Sequence, residues 1–188
     1  MEKKFNILAF AGSLRKASYN KALVRAAVEL APENVSIEVF DLEGIPPFNQ
    51  DLENTPTQRV KEFKEKIRNA DALLIATPEY NYSIPGVLKN ALDWASRPFQ
   101  ENALKGKPVA IMSASTGRFG GARAQYHLRQ TFIMTNIHAF NQPEVMLASA
   151  AENVDANGRL TNEQTKVLIR QLIEALVTWT NTLKRKPQ

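Results

Sequence analysis

The chain of 188 residues contains no cysteine and only two histidines. The absence of thiols excludes disulfides, thiolate metal sites and dithiol redox chemistry, so a redox function would require a bound cofactor. No apolar run approaches the roughly 18 residues of a membrane span, and no small-residue cleavage site precedes the first apolar segment. We therefore expect a cytoplasmic protein without a membrane span. With 44% hydrophobic residues, the chain is expected to fold as a single domain over residues 1–188.

The sequence is basic, with a net charge of +5. Its lysines and arginines are scattered, apart from the run at 184–186, which fits the C-terminus of a helix because cations stabilise that end of the helix dipole. A scattered distribution does not favour nucleic-acid binding. We expect no nucleic acid among its partners.

No metal site is indicated. His127 and His138 have neither a carboxylate nor a second histidine at helical ligand spacing. The segment 153–164 matches part of a calcium loop, but Gln164 stands where a bidentate glutamate belongs. We expect a turn there, followed by a last helix capped by Thr161.

Short apolar segments alternate with stretches of helical periodicity, which predicts a parallel sheet with helices on both faces. The fold class is therefore α/β, a doubly wound five-stranded parallel sheet. The predicted strands are Phe5 to Ala11, Ser36 to Leu42, Ala72 to Thr77, Pro108 to Ser113 and Glu144 to Ala148.

The loop after the first strand, GSLRKASYN at 12–20, has the donors that a phosphate requires. Ser13, Ser18 and Asn20 offer hydroxyl and amide groups, Arg15 offers a guanidinium, and a helix N-terminus follows. The loop lacks GxGxxG and GxxxxGK[ST], so a phosphate monoester is favoured over a dinucleotide or a nucleoside triphosphate. The alternative is a solvated turn in which Ser18 caps the helix, which leaves Arg15 without a role.

Two further loops follow strand ends. After the third strand comes PEYNYS at 78–83, followed by Pro85 and Gly86. Pro78, Pro85 and Gly86 restrict this loop, so we expect Glu79 to Ser83 to be an ordered and mostly extended segment. In a doubly wound sheet of flavodoxin-like order, this loop and the first one meet at the crevice where ligands bind. Its tyrosines could contact a planar ring there, or equally serve loop packing or a subunit contact. After the fourth strand, SASTGRFGG brings small residues and glycines that permit close approach to a ligand.

Together, GSLRKASYN, PEYNYSIPGVLKNALDW and GGARAQYHLRQ resemble the NADPH-dependent FMN reductase family, in particular its bacterial branch of quinone and chromate reductases. The resemblance implies a flavodoxin-like fold, non-covalent FMN, and NAD(P)H as co-substrate. It also implies reduction of quinones or similar acceptors, such as flavin, azo compounds and chromate. No protein group is expected to be catalytic, because flavin N5 carries the hydride. The implied cofactor-binding residues are Ser13, Arg15, Ser18, Asn20, Pro78, Glu79, Tyr80, Asn81, Tyr82, Ser83, Ser113, Ser115 and Gly117.

The same resemblance implies a homodimer or homotetramer, with Arg123, Tyr126 and Glu144 at a subunit contact. An apolar stripe on the helix after Pro85, from Leu88 to Ala95, agrees with a two-fold interface beside the crevice. An alternative function is a non-enzymatic FMN-binding electron carrier or redox-responsive interaction protein, although flavodoxin-type carriers tend to be acidic. A third is a phosphosugar or nucleotide-binding module, which would bind no flavin.

Overall fold

The computed structural model describes residues 4–185. Within these residues, six strands and five α-helices alternate, except that the last two strands follow each other directly. The strands are β1 (Phe5–Ala11), β2 (Val35–Val39), β3 (Ala72–Thr77), β4 (Pro108–Ala114), β5 (His138–Ala139) and β6 (Val145–Leu147). The helices are α1 (Tyr19–Glu29), α2 (Gln58–Asn69), α3 (Gly86–Ala95), α4 (Ala122–Thr135) and α5 (Glu163–Lys184).

All strand pairs are parallel, in the order β2-β1-β3-β4-β5, and β6 also pairs with β4. This order confirms the doubly wound flavodoxin-like sheet. The predicted bounds of β1 and β3 are confirmed, because each is an uninterrupted apolar run. The predicted fifth strand, Glu144 to Ala148, corresponds to β6 alone. The two-residue β5 pairs with the first part of β4 and β6 pairs with its second part, so two short strands share one edge of the sheet.

The sheet is covered on both faces, and alternate strand residues enter two separate cores. One core contains Ile7 and Leu74 with residues of α1 and α5. The other contains Leu8 and Ile75 with residues of α2, α3 and α4. Since α1 and α3 lie on opposite faces, the chain leaves β1 and β3 in opposite directions and opens a crevice between their carboxyl ends.

The segment before the last helix is a turn, as predicted. The Asp155 carboxylate accepts hydrogen bonds from the backbone N–H groups of Asn157 and Arg159. The helix cap is Asn162 rather than Thr161, since the Asn162 side chain accepts the Thr165 N–H at 2.8 Å. α5 ends at Lys184, and Lys186 of the predicted basic end lies outside the described residues. Among residues 4–185, no helix is long and apolar enough to cross a membrane.

The apolar stripe of α3 is core, so its interpretation as an interface is wrong. Leu88, Ala91, Leu92 and Ala95 are all buried within the chain. They pack against the β1 and β3 side chains Phe10 and Ile75 in the second core. An amphipathic pattern alone does not distinguish these two uses.

We expect Leu92→Ala to lower the free energy of unfolding by about 2–5 kcal/mol, the range for deleting a buried leucine side chain. Denaturant unfolding of the protein without cofactor measures this loss. Val167→Ala is the control, because Val167 is exposed on α5. A loss that depends on protein concentration would show that Leu92 belongs to an interface instead.

Candidate functional site

A cleft of about 260 Å³ lies at the carboxyl ends of β1, β3 and β4. We call it the inner cleft. The structure brings eight predicted residues to it, namely Ser13, Arg15, Ser18, Asn20, Pro78, Glu79, Tyr80 and Ser115. The lining also includes Tyr19, Ala114 and Thr116, which the sequence did not single out although each adjoins a predicted residue. Five predicted residues do not line it: Asn81, Tyr82, Ser83, Ser113 and Gly117.

The first loop presents hydroxyl groups and a cation beside the start of α1. Ser18 is the N-cap of α1, as predicted, and its hydroxyl accepts the Lys21 N–H. The buried Ser13 hydroxyl accepts the Arg15 N–H at 3.3 Å. The Arg15 guanidinium lies 5.0 Å from the centre of the Tyr19 ring. Within residues 4–185 it forms no ion pair, so its charge is available to an anion.

Asn20 joins the first loop to the end of β4. Its side-chain oxygen accepts the Ala114 N–H at 2.9 Å, and its side-chain nitrogen donates to the Ala114 carbonyl at 3.0 Å. The side chain is buried, so both bonds are shielded from water. An amide nitrogen carries two hydrogens, which leaves one donor for a ligand. Asn20 therefore sets the distance between two walls of the inner cleft.

The second loop is a tight turn rather than the extended segment that its prolines predict. Tyr80 and Ser83 exchange two backbone hydrogen bonds of 3.0 Å. The two residues between them, Asn81 and Tyr82, have φ angles of 50° and 67°. Positive φ at both central positions is typical of a type I′ turn, which Asn favours and Tyr does not. Tyr82 does not line the inner cleft, and the residue is 67% exposed.

A buried carboxylate fastens this turn to α4. The Glu79 side chain is only 7% exposed, and it accepts hydrogen bonds from the Arg123 and Ala124 N–H groups at the first turn of α4. It also pairs with the Arg123 side chain at 2.5 Å. The Arg123 guanidinium contacts two aromatic rings, with its Cζ atom 3.7 Å from the centre of the Tyr82 ring and 4.9 Å from that of the Phe119 ring. Ion pairing and cation–π contacts thus hold the positive-φ Tyr82 in place.

The third loop is packed against the sheet. The Ser113 hydroxyl donates to the Gly120 carbonyl at 2.6 Å and accepts from Gln125 at 2.8 Å, which accounts for its position outside the cleft. A Cβ at Gly121 would lie 2.7 Å from the Ser113 side chain, and one at Gly120 would lie 2.7 Å from the Met146 backbone. Both glycines have positive φ. Gly120 and Gly121 thus allow this loop to approach β4 and β6 of the same chain. Their role is packing rather than close approach to a ligand.

A larger cleft of about 460 Å³ lies between α2 and the Pro98 turn. Both acidic and basic side chains line it. The Glu101 carboxylate lies 3.7 Å from Lys64 Nζ and 3.8 Å from Arg68 Nη2. Burial lowers the pKa of Lys64, with a smaller contribution from the nearby Arg68. Because Glu101 pairs with Lys64 and Arg68, and the carboxylates of Glu53 and Glu65 also line it, this cleft offers less to an anion than the inner cleft does.

Neither of the two histidines lines the inner cleft. The His127 ring nitrogen Nδ1 is 3.1 Å from the Ser83 hydroxyl, and His138 begins β5. In the described part of the chain, no three His, Asp or Glu side chains are grouped as metal ligands would be.

A model of the NADPH-dependent FMN reductase family matches residues 5–152. The chain belongs to this family. The match spans β1 to β6, and so includes all three loops that surround the inner cleft. The protein is therefore an FMN-dependent oxidoreductase with NAD(P)H as co-substrate, as the family description and the relatives below indicate.

Curated relatives extend the family likeness over nearly the whole chain. An NAD(P)H-dependent FMN reductase of Pseudomonas aeruginosa is 51% identical over 185 residues, covering 98% of this chain and 100% of its own. A 2-hydroxy-1,4-benzoquinone reductase of Burkholderia sp. is 42% identical over 92% of this chain and 94% of its own.

A solved structure agrees. The flavoenzyme NAD(P)H:(acceptor) oxidoreductase FerB of Paracoccus denitrificans superimposes with a TM-score of 0.85 at 34% identity, covering 94% of this chain and 97% of its own. The names of these relatives describe enzymes, which gives no support to the electron-carrier alternative.

We expect Glu79→Gln to loosen the second loop of this FMN reductase family member. Gln cannot accept from both the helix N–H groups and the Arg123 side chain as a carboxylate does, so the free energy of unfolding should fall by about 1–3 kcal/mol. Hydrogen exchange should quicken at the Arg123 and Ala124 amides. Glu152→Gln is the control, because the Glu152 carboxylate has no partner among residues 4–185. Unchanged exchange at both amides would contradict the role given to Glu79.

Proposed function

We propose that this protein reduces quinones and similar small acceptors with electrons that NAD(P)H supplies through FMN held in the inner cleft. One observation carries the placement of FMN. Arg15, a cation without an ion pair among residues 4–185, stands beside the buried Ser13 and Ser18 hydroxyls and the N-terminus of α1. These groups together form an anion site at the carboxyl edge of the sheet.

The residues present fit FMN. Its phosphate would be held by Ser13, Arg15 and Ser18, with the free amide hydrogen of Asn20 as a further donor. The segment Pro78–Tyr80 on one side, with Ser115 and Thr116 on the other, would flank the ring. When bound, FMN supplies the hydride chemistry at its N5 atom. The chain's own residues hold the cofactor, shield it from water and set access to it.

No acid, base or nucleophile of the protein is required for this reaction. The Glu79 carboxylate is hydrogen-bonded to the backbone of α4 and to the Arg123 side chain. The Ser113 hydroxyl is hydrogen-bonded to Gly120 and Gln125. Acceptor choice then depends on the shape of the opening above the inner cleft rather than on a catalytic side chain. The relative named as a 2-hydroxy-1,4-benzoquinone reductase supports quinones as acceptors of this protein as well.

The assembly proposed is a homodimer or homotetramer, formed through α4 instead of α3. Tyr126 and Ile133 are exposed by 53% and 83%, and they share one side of α4 because they are seven residues apart. Met134, next to Ile133, and Phe119, just before α4, are further exposed apolar side chains. Exposed apolar area of this kind marks an interaction site.

The residues expected at the subunit contact lie on or beside this surface. Burial lowers the pKa of Arg129, and the nearby Glu144 and Tyr126 oppose that shift, which places these two groups around α4. Arg123 is occupied by Glu79 of the same chain. The inner cleft, at about 260 Å³, is also slightly smaller than the ~300–1,000 Å³ of most small-molecule sites. A second copy at α4 would extend its walls.

The proposal treats residues 1–188 as one FMN-binding domain, because both cores share the same sheet. Its cytoplasmic location stays a prediction from the sequence.

Arg15→Ala tests the phosphate site. We expect FMN binding to weaken about 10- to 150-fold, equivalent to one charge-assisted hydrogen bond of about 1.5–3 kcal/mol. Riboflavin, which has no phosphate, should bind both proteins equally, and flavin fluorescence titration measures all four affinities. Lys16→Ala removes a neighbouring exposed cation and is the control for net charge. An equal loss with riboflavin, or with Lys16→Ala, would refute the placement of the phosphate at Arg15.

Ile133→Glu tests the α4 interface. A buried charge at a subunit contact is strongly unfavourable, so sedimentation or light scattering should show a smaller species than for the unchanged protein. Val167→Glu places the same charge at an exposed apolar position of α5 and should leave the size unchanged. Identical sizes for both variants would show that the α4 surface is not the interface.

A further inference from the structure

A second cleft of about 310 Å³ adjoins the phosphate loop on its outer side. We call it the outer cleft. It lies between the first loop, Arg25 of α1 and the turn at 154–158. Arg15, Ser18 and Tyr19 line both clefts, so the outer cleft continues the inner one past the proposed FMN phosphate. No sequence motif indicates it, because Arg25 and Gly158 are 133 positions apart.

The outer cleft is positively charged. Arg15 and Arg25 contribute two guanidinium groups, and neither forms an ion pair within residues 4–185. The single acidic side chain of the lining, Asp155, is engaged by the backbone N–H groups of Asn157 and Arg159. Guanidinium groups bind phosphate through paired N–H donors, which makes this lining suited to a second phosphate.

Arg25 is held in position by the turn. Its Nη2 donates to the Gly158 carbonyl at 2.8 Å, which leaves the other guanidinium donors free. Gly158 has a positive φ of 74°, and a Cβ there would lie 2.6 Å from this Nη2 atom, so a larger residue would strain the turn and displace the guanidinium. The same turn is shaped by the Asp155 hydrogen bonds, and the site therefore exists before any ligand binds.

The remaining walls are apolar or aromatic. Val154, Ala156 and Ala17 line the cleft together with the half-buried Tyr19. Apolar walls with a few convergent donors are typical of sites for nucleosides and other flat ligands. A phosphate with an attached nucleoside thus matches both the charge and the surface of the outer cleft better than a free inorganic anion.

We propose that the outer cleft binds the adenosine phosphate half of a dinucleotide. The other half of that dinucleotide would reach the flavin in the inner cleft, or would itself be the flavin bound there. Two compounds carry this group: NADPH, the co-substrate, and FAD, in which an adenosine phosphate extends from the FMN phosphate. The shared recognition is of phosphate by Arg25 and Arg15 and of adenosine by the apolar walls. The proposal rests on the proposed FMN site through Arg15, which stands at the junction of the two clefts.

A matched pair of variants tests the charge of the outer cleft. Ala156→Glu places a carboxylate inside it, whereas Ala151→Glu changes the net charge equally at an exposed alanine outside the lining. Isothermal titration with adenosine 2′,5′-bisphosphate is the direct probe. We expect Ala156→Glu to weaken binding of this probe roughly tenfold relative to Ala151→Glu, about the effect of one charge-assisted hydrogen bond. Equal affinities, or no binding to the unchanged protein, would overturn the proposal.

Two further measurements identify the source of the adenosine phosphate. A rise in KM for NADPH but not for NADH in Ala156→Glu assigns the cleft to the co-substrate's 2′-phosphate. A fall in the ratio of FAD to FMN affinity, measured on the protein without cofactor, assigns it to the flavin. Either result supports the outer cleft as a nucleotide site, and the absence of both overturns it.

Arg25→Gln and Arg25→Lys separate charge from structure. Both lose the arginine fork that holds Gly158, but only lysine keeps the cation, so Arg25→Lys should recover most of the probe affinity that Arg25→Gln loses. Equal losses in the two variants would mean that Arg25 only supports the turn, and would overturn its assignment to phosphate. The FMN site is judged independently, since its failure appears as an unchanged FMN affinity in Arg15→Ala.

Discussion

The buried amide of Asn20 is the contact on which the geometry of the inner cleft depends. It forms two hydrogen bonds with the backbone of Ala114, 94 positions away, and so joins the first turn of α1 to the end of β4. Without them, the polar backbone at the end of β4 would be buried without partners, at a cost of about 1–3 kcal/mol for each group. The Glu79 carboxylate likewise joins the second loop to α4, by accepting hydrogen bonds from two backbone N–H groups of the helix. Polar contacts within the chain thus place all three loops before a cofactor arrives, which reduces the entropy that binding must overcome.

Much of the sheet could be predicted because its central strands are continuous apolar runs buried on both faces. The bounds of β1 and β3 and the cap at Ser18 depend on neighbouring residues, and local patterns describe them well. The interrupted edge position could not be predicted in the same way. Its two short strands are held by β4 and by side chains of other helices, which leave no periodic signal in their own sequence.

The candidate site was predictable in its residue types and less so in their partners. Serines and an arginine before a helix indicate an anion site whatever lies opposite. Asn20 and Glu79 also belong to the loops, but their partners Ala114 and Arg123 lie 94 and 44 positions away. The turn at Asn81 and Tyr82 lacks the glycine that its φ angles favour, so only the contact between Tyr82 and Arg123 explains it. Tertiary contacts override local preference at these residues.

The interrupted edge of the sheet has a consequence for how the protein behaves at high concentration. A long exposed edge strand can pair with another chain and lead to aggregation, and short edges reduce this hazard. Here the edge consists of strands of two and three residues. The carbonyl groups of His138 and Phe140 accept hydrogen bonds from the side chains of Trp179 and Arg129. A strand of another chain would therefore meet a short edge on which two carbonyl acceptors are already hydrogen-bonded. This edge of the sheet is thus protected against pairing that leads to fibrils.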